Sequence, residues 1–539
     1  DINGFSAKWD LVNSWKGYHP VPYMGRGINY YLGDNSGLVH TFVDTNQVRN
    51  GQTYYYAVVA YDHGDSLGIP PSETTKKISS DPITGKLIFD HNTVQVIPGP
   101  RASGYNNPEI KKTDILHNSG IANGKVSFEI INDLAVKGDK YSLTFKDSLY
   151  TGGVASHAKN YSVTSEKTTT ESFYLYGTKF ANLSQKNLIN DANLKVTDAS
   201  GKVYAKTDYE LNFEKGSIKR TNNSTMKDGT EYFITYKNYK IYQSTALGGE
   251  DSNPVFDGIL LKVKDYPALA FDNTRSKWSS NINLPYRFYL RAAGNPKAEP
   301  ADYIVTFSDK AISTAKKFVI GKGFIDIPVK YKVQDVTSGV PIDVVTNLQE
   351  LSTSNDSTWT LGEEIVFYKT GTPGGIGSQI AWSLVISAGP EGSKKVPGPG
   401  DVLFIYTKRP FAKTDVFTLQ TQAGFVKNED AKSRMDNIFV VPNPYVGTNE
   451  IEPANKLSGQ NRGERRIYFE NLPMKCTIRI YTLSGELVTT INHESGFDNG
   501  REFWNLLNRD GFSVSYGVYL AHIDAPEIGE KLIKFAIIK

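Results

Sequence analysis

The sequence predicts an all-β chain of tandem β-sandwich modules, and three observations carry that prediction. Apolar and polar residues alternate along most of the chain, the period-2 pattern of strands with one face buried. Turn residues break the alternation at short intervals, as at Asn50-Gly51, Asn123-Gly124, Lys137-Gly138-Asp139, Ser200-Gly201 and Asp228-Gly229. Tyr occurs 32 times and Gly 47 times, against 4 Met and 1 Cys, a composition that suits pleated, half-buried surfaces. Helical periodicity is nearly absent.

The 539 residues allow roughly three to five domains. The sequence divides into four segments: 1–80, 81–298, 299–436 and 437–539. In the first, Thr53 to Tyr61 reads as a strand with Tyr54, Tyr56, Val58 and Ala60 on one face. Residues 81 to about 110 read as a connector holding a short strand, Val94 to Ile97. Segment 81–298 is expected to hold one or two sandwich modules, with strands at Lys125–Ile131, Tyr141–Lys146, Ser172–Tyr176, Leu194–Thr197, Tyr209–Phe213 and Glu231–Lys237. Segment 299–436 adds Tyr303–Phe307, Asp326–Val333, Glu364–Tyr368, Ala381–Ile386 and Asp401–Tyr406. The polar run Lys427 to Asp436 is the expected linker and the one expected short helix. The last segment shows six or seven short strands, among them Arg466–Phe469, Cys476–Tyr481, Glu486–Ile491, Tyr516–Ile523 and Lys531–Ile538.

Charge and chemistry narrow the function. Lys plus Arg is 60 and Asp plus Glu 57, a net charge of +3, which argues against a dedicated nucleic-acid binder. No run approaches the ~18 apolar residues of a membrane-spanning helix. A single cysteine, Cys476, allows no internal disulfide. It shares a strand face with Ile478 and Ile480 and reads as a buried small hydrophobe. The start, Asp1-Ile2-Asn3-Gly4, carries neither Met nor an apolar leader, so the chain reads as a mature or internal fragment.

Gly-x-Ser-x-Gly does not occur. Gly374-Gly375-Ile376-Gly377-Ser378 lacks the Lys-Ser/Thr of a phosphate loop. The eight histidines form no His-x-His or His-x-x-x-His pair. Glu363 and Glu364 are adjacent and would face opposite ways on a strand, where a glycosidase needs two carboxyls across a cleft. The expectation is therefore no enzyme, no catalytic residue and no cofactor. Calcium, which prefers several oxygen ligands, has candidate positions at Asp62 and Asp65, with His63 between them, and at Asp251 and Asp257 in Glu250-Asp251-Ser252-Asn253 and beyond. Tyr236, Tyr239 and Tyr242 form a Tyr/Lys stripe that is a candidate for stacking on sugars or for cross-strand packing.

Two family resemblances add to this. Asn50-Gly51-Gln52-Thr53-Tyr54-Tyr55-Tyr56-Ala57-Val58, with Ala60-Tyr61-Asp62, resembles a fibronectin type III module over residues 38 to 79. The resemblance implies a corner tyrosine at Tyr54 whose hydroxyl ties the preceding loop to the strand. The family's upstream strands are not recognisable in residues 1–37, so the module is expected to be partial.

The last hundred residues resemble the type A C-terminal sorting domain of the bacterial type IX secretion system. The carrying residues are Val441-Pro442-Asn443-Pro444, Ile478-Arg479-Ile480-Tyr481-Thr482-Leu483-Ser484-Gly485, Gly517-Val518-Tyr519 and Lys534-Phe535-Ala536-Ile537-Ile538-Lys539. The Ig-like domain of flagellar hook-capping proteins shares the strand pattern. The sorting resemblance implies export across an outer membrane in the Bacteroidetes–Chlorobi–Ignavibacteria group, and commonly removal of the domain with attachment of the rest to surface polysaccharide. Asp65-Ser66-Leu67 and Asp147-Ser148-Leu149 resemble the O-glycosylation motif of such exported proteins.

Together these readings point to a secreted or cell-surface structural or adhesive protein, such as a fibre or surface-layer subunit. Its expected partners are other surface proteins or copies of itself, the type IX machinery and surface polysaccharide. The alternative is the non-catalytic C-terminal region of a larger secreted hydrolase, acting as spacer, glycan-binding element and export signal.

Overall fold

The computed structural model describes all residues except 1–5, 23–26, 40–41, 83–85, 112–113, 148–156, 280–281, 283, 352–355, 391–395, 448–451, 453–463 and 539. Ser148 and Leu149 of the second glycosylation-like motif, and Lys539, lie outside the described residues. The architecture is all-β. Among the described residues the single α-helix is six residues long, Asn428–Ser433. Two compact units form, one from Asp1–Pro108 with Ala423–Lys539 and one from Glu109–Gln422. These units cut across the four-segment division, because chain ends that are distant in sequence fold together.

Within the first unit, residues 437–539 make a two-sheet sandwich. Phe439–Val441, Ile467–Glu470 and Arg501–Trp504 form one antiparallel sheet. Tyr445–Val446, Gly529–Ile538, Gly517–Ala525, Lys475–Thr482 and Leu487–Glu494 form the other, in that order. Alternation sends Ile467, Phe469 and Trp504 from one sheet against Ile478, Ile480, Tyr519, Ile523 and Phe535 from the other, and all are buried. The expected linker is part of this core: its helix and the following turn bury Ala431 and Met435 there. A helix this short owes its stability to that packed face.

Residues 6–100 are different. They form three two-stranded sheets: Tyr18–Pro22 with Asn29–Tyr31, Tyr54–Ala57 with Thr93–Val96, and Ile78–Ser80 with Leu87–Phe89. Among the described residues of this stretch, Leu32 and Pro71 are the buried apolar side chains. The strand read as part of a connector is thus the ladder partner of Tyr54–Ala57. Tyr54 accepts the backbone N–H of Arg49 at 2.8 Å and reaches the C=O of Gln47 at 3.4 Å, which is the loop-to-strand tether expected of that tyrosine.

The second unit holds two sandwiches. In one, a nine-stranded sheet is built around the 14-residue strand Glu231–Ser244. Its other main strands are Ala158–Ser165, Lys140–Asp147 and Val416–Gln420, and it faces the pair Lys125–Ile130 and Ile259–Lys264. In the other sandwich, Tyr303–Phe307 and Tyr331–Asp335 pack Tyr303, Val305 and Phe307 against Phe288, Phe367, Trp382 and Leu384. That sandwich draws in Lys277–Trp278 and Tyr286–Tyr289, so it begins before residue 299. Val416–Gln420 then returns to pair with Lys140–Asp147 and Ile115–Ser119.

The strand Glu231–Ser244 changes its buried parity along its length. Tyr232, Ile234 and Tyr236 are inward at its start and Ile241 near its end. A register irregularity against Ala158–Ser165, between Val163↔Ile241 and Thr164↔Tyr239, makes the switch. One extra residue in a strand turns every later side chain to the opposite face.

Candidate interaction sites

The acidic positions singled out in sequence brace their own loops. Asp62 accepts N–H groups from Gly64 and Ser72 and the Ser72 hydroxyl. Asp65 accepts three successive N–H groups, from Leu67, Gly68 and Ile69, at 2.9–3.0 Å. These bonds favour the ionised forms: the Ser72 hydroxyl holds Asp62 below the usual carboxylate range, and the Ile69 N–H does the same for Asp65. Between them, His63 leaves the carboxylates and stacks on Trp15, centroids 4.8 Å apart, as does His19 at 5.7 Å.

Asp257 receives the Tyr141 hydroxyl at 3.0 Å and the Lys240 ammonium at 2.9 Å. Asp251 is half-buried beside Asn253. Asn253 is a structural pin, donating to the Tyr161 hydroxyl and the Leu261 carbonyl and accepting from Ser244. Among the described residues no group of three or more His, Cys, Asp or Glu side chains converges to hold a metal ion.

Plain alternation divides the tyrosine stripe, since Tyr236 and Tyr239 stand three residues apart. Tyr236 is fully buried in the core with Phe173, Val196 and Ile218, and its hydroxyl bonds Glu171. Its ring therefore offers no face to a ligand, which corrects its inclusion in the stripe. The irregularity between them sets Tyr239 and Tyr242 on one face, where they pack on each other at 4.8 Å, with Tyr242 exposed. Glu363 and Glu364 point apart as alternation requires. Glu363 is buried and takes the Thr360 N–H, whereas Glu364 meets Tyr289 and Arg291. Cys476 is buried, and burial pushes its thiol up to about 12, far from the range of a reactive thiolate.

Sequence reading missed the long-range contacts of charged and titratable side chains. In the last module Arg501 meets Glu470 at 2.7 Å while its guanidinium lies 3.6 Å over the Tyr468 ring. The Asn50-Gly51 turn closes on this pair: a Cβ on Gly51 would fall 2.2 Å from the Arg501 guanidinium. Burial raises Glu470 and lowers Arg501, with their mutual attraction opposing both shifts. In the second unit His117 meets Asp415 at 2.8 Å and Arg409 meets Asp302. The partners of His117 and Arg409 lie 298 and 107 residues away in the chain, so no local pattern announces them.

No family model matches the chain, and no curated protein matches it. Two solved structures resemble it distantly. One is described as PorZ, an essential bacterial surface component of the type IX secretion system of Porphyromonas gingivalis. It shares 13% identity and a TM-score of 0.17, over 74% of this chain and 58% of that one. The other is described as the BSP domain of a biofilm associated protein, with 9% identity and a TM-score of 0.11 over 82% of this chain and 84% of that one. The chain thus spans a little over half the length of the PorZ chain. Superpositions this poor assign neither fold nor function.

Proposed function

We propose that the chain is a secreted or cell-surface structural protein, exported through a type IX system, that acts by association and carries out no reaction. One observation supports the export reading most directly. The motif stretches Val441–Pro444, Ile478–Gly485, Gly517–Tyr519 and Lys534–Ile538 all fall on one sandwich, and the last of them closes its larger sheet. The associative reading draws support from the acidic side chains singled out for chemistry, most of which hold loops or cations of the chain itself.

The test is a fusion of residues 437–539 to a periplasm-directed fluorescent reporter in a bacterium with a working type IX system. The proposal expects surface display or release of the reporter. Retention in the periplasm, equal to that of a reporter lacking the fusion, would overturn it.

A further inference from the structure

Among the described residues, the strand Tyr54–Ala57 is paired along one edge and bare along the other. Its one ladder partner is Thr93–Val96, paired Tyr54↔Val96 and Tyr56↔Val94. Val58 continues the series by donating its N–H to the Asn92 carbonyl at 2.9 Å. In an antiparallel pair the bonded residues alternate, so Tyr54, Tyr56 and Val58 face Thr93–Val96. The N–H and C=O groups of Tyr55, Ala57 and Val59 face the opposite edge. Among the described residues no strand pairs with that edge.

Native edge strands are normally blunted by charge, proline or a bulge. Thr53 to Tyr61 reads Thr-Tyr-Tyr-Tyr-Ala-Val-Val-Ala-Tyr, with no charge and no proline. Tyr55 is 46% and Val58 79% exposed. A two-stranded ribbon is marginal in water, and this one has no buried apolar cluster beneath it.

We infer that this edge is a self-association surface whose occupant is the same edge of a second copy, related by a two-fold axis through Ala57. The register is self-complementary. Centred on Ala57, it sets Tyr55 opposite the partner's Val59 in bonded pairs, and Tyr56 opposite the partner's Val58 in the close non-bonded pairs. Aromatic against β-branched is a favourable cross-strand combination. The pairing makes a four-stranded sheet with Tyr54, Tyr56, Val58, Val94 and Val96 on one continuous face. A heterologous strand would also satisfy the backbone. The absence of any like charge opposing itself under the two-fold favours a second copy, because an isologous interface must be complementary to itself. This deepens the associative reading above and rests on it.

The experiment is sedimentation velocity on the full chain over a concentration series, with hydrogen exchange on the same samples. The expected result is a concentration-dependent dimer in which the amides of Tyr55, Ala57 and Val59 gain protection. Ala57→Lys sets two ammonium groups directly opposite each other. Ala57→Pro removes an edge N–H that pairs with no strand among the described residues. Both variants should sediment as monomers with an unchanged far-ultraviolet spectrum, while Leu67→Lys, at a residue 93% exposed, should still dimerise. A chain that stays monomeric throughout, or Ala57 variants that dimerise like the parent, would overturn the proposal. Either result leaves the outcome of the export experiment unchanged, so the two readings fail separately.

Discussion

Asn443 lies along the open edge of the last strand as though it were a piece of strand itself. Its Oδ1 accepts the N–H of Ala536 at 3.2 Å and its Nδ2 donates to the Lys534 carbonyl at 3.4 Å. Tyr445–Val446 pairs with that strand at Ile537 and Ile538 alone, so the asparagine amide covers the next stretch of edge. The flanking Pro442 and Pro444 have no N–H to offer and hold the backbone in place. The Pro-Asn-Pro motif thus acts as a guard on a strand edge that would otherwise be free to pair.

Replacing Asn443 with Ala should therefore speed amide exchange at Ala536 and cost about 0.5–1.5 kcal/mol, the usual worth of such bonds. Exchange rates along Gly529–Ile538 measure it. Unchanged protection at Ala536 would remove the guard role.

Arg501→Ala should be the most damaging single change in the last module, at about 3–5 kcal/mol, because it leaves the Glu470 carboxylate buried without its partner. Replacing both residues with Leu should recover most of the loss. Lys at 501 should rescue poorly, since it cannot reproduce the flat stack on Tyr468. Urea titrations read through exchange of the Ile467–Glu470 amides would separate these cases, and equal stability of the Ala and Lys variants would contradict the stacking argument.

Tyr54→Phe keeps the ring and removes the tether to Arg49 and Gln47. About 1 kcal/mol of local stability should go with it, seen as faster proteolytic nicking between residues 44 and 52. Parent-like nicking would show the hydroxyl to be dispensable.

Asp265 provides a pH signature. Half-buried and accepting the Phe411 N–H, it is pushed up from 3.8 to about 6, chiefly by burial. A carboxyl with a raised folded pKa binds protons more readily in the folded state. Its contribution is favourable at low pH and is lost as pH rises from about 4 through about 6. Asp265→Asn should flatten that part of the stability curve and gain about 1 kcal/mol at pH 7, after allowance for solvent screening. Denaturation midpoints at pH 4, 5, 6 and 7 test it, and identical pH profiles for the two proteins would refute it.

How much of this was legible in the sequence follows from range. Tyr303–Phe307 and Glu364–Tyr368 lie where alternation sets them, and the short helix falls within its polar run. Arg501–Trp504 was missed because it opens on two charged residues, one of which is buried only because Glu470 lies across the ladder. The tyrosine stripe was misjudged: Tyr236 parts from Tyr239 by plain alternation, and an extra residue in the stripe's own strand, between Tyr239 and Ile241, returns Tyr242 to the face of Tyr239. The candidate acids were visible as oxygen donors grouped in sequence. Their partners were not, since turn N–H groups compete for a carboxylate and the winner depends on geometry.

By itself the sequence determined the secondary structure class and the place of many of its strands and turns. These depend on chemistry within a few residues of chain. The tertiary structure alone decided that residues 1–108 and 423–539 make one compact unit, that Val416–Gln420 returns to Lys140–Asp147, and that Tyr54–Ala57 takes Thr93–Val96 as its ladder partner. Backbone N–H and C=O groups are the same in every residue, so the choice of which strand they pair with is made by packing across the whole domain.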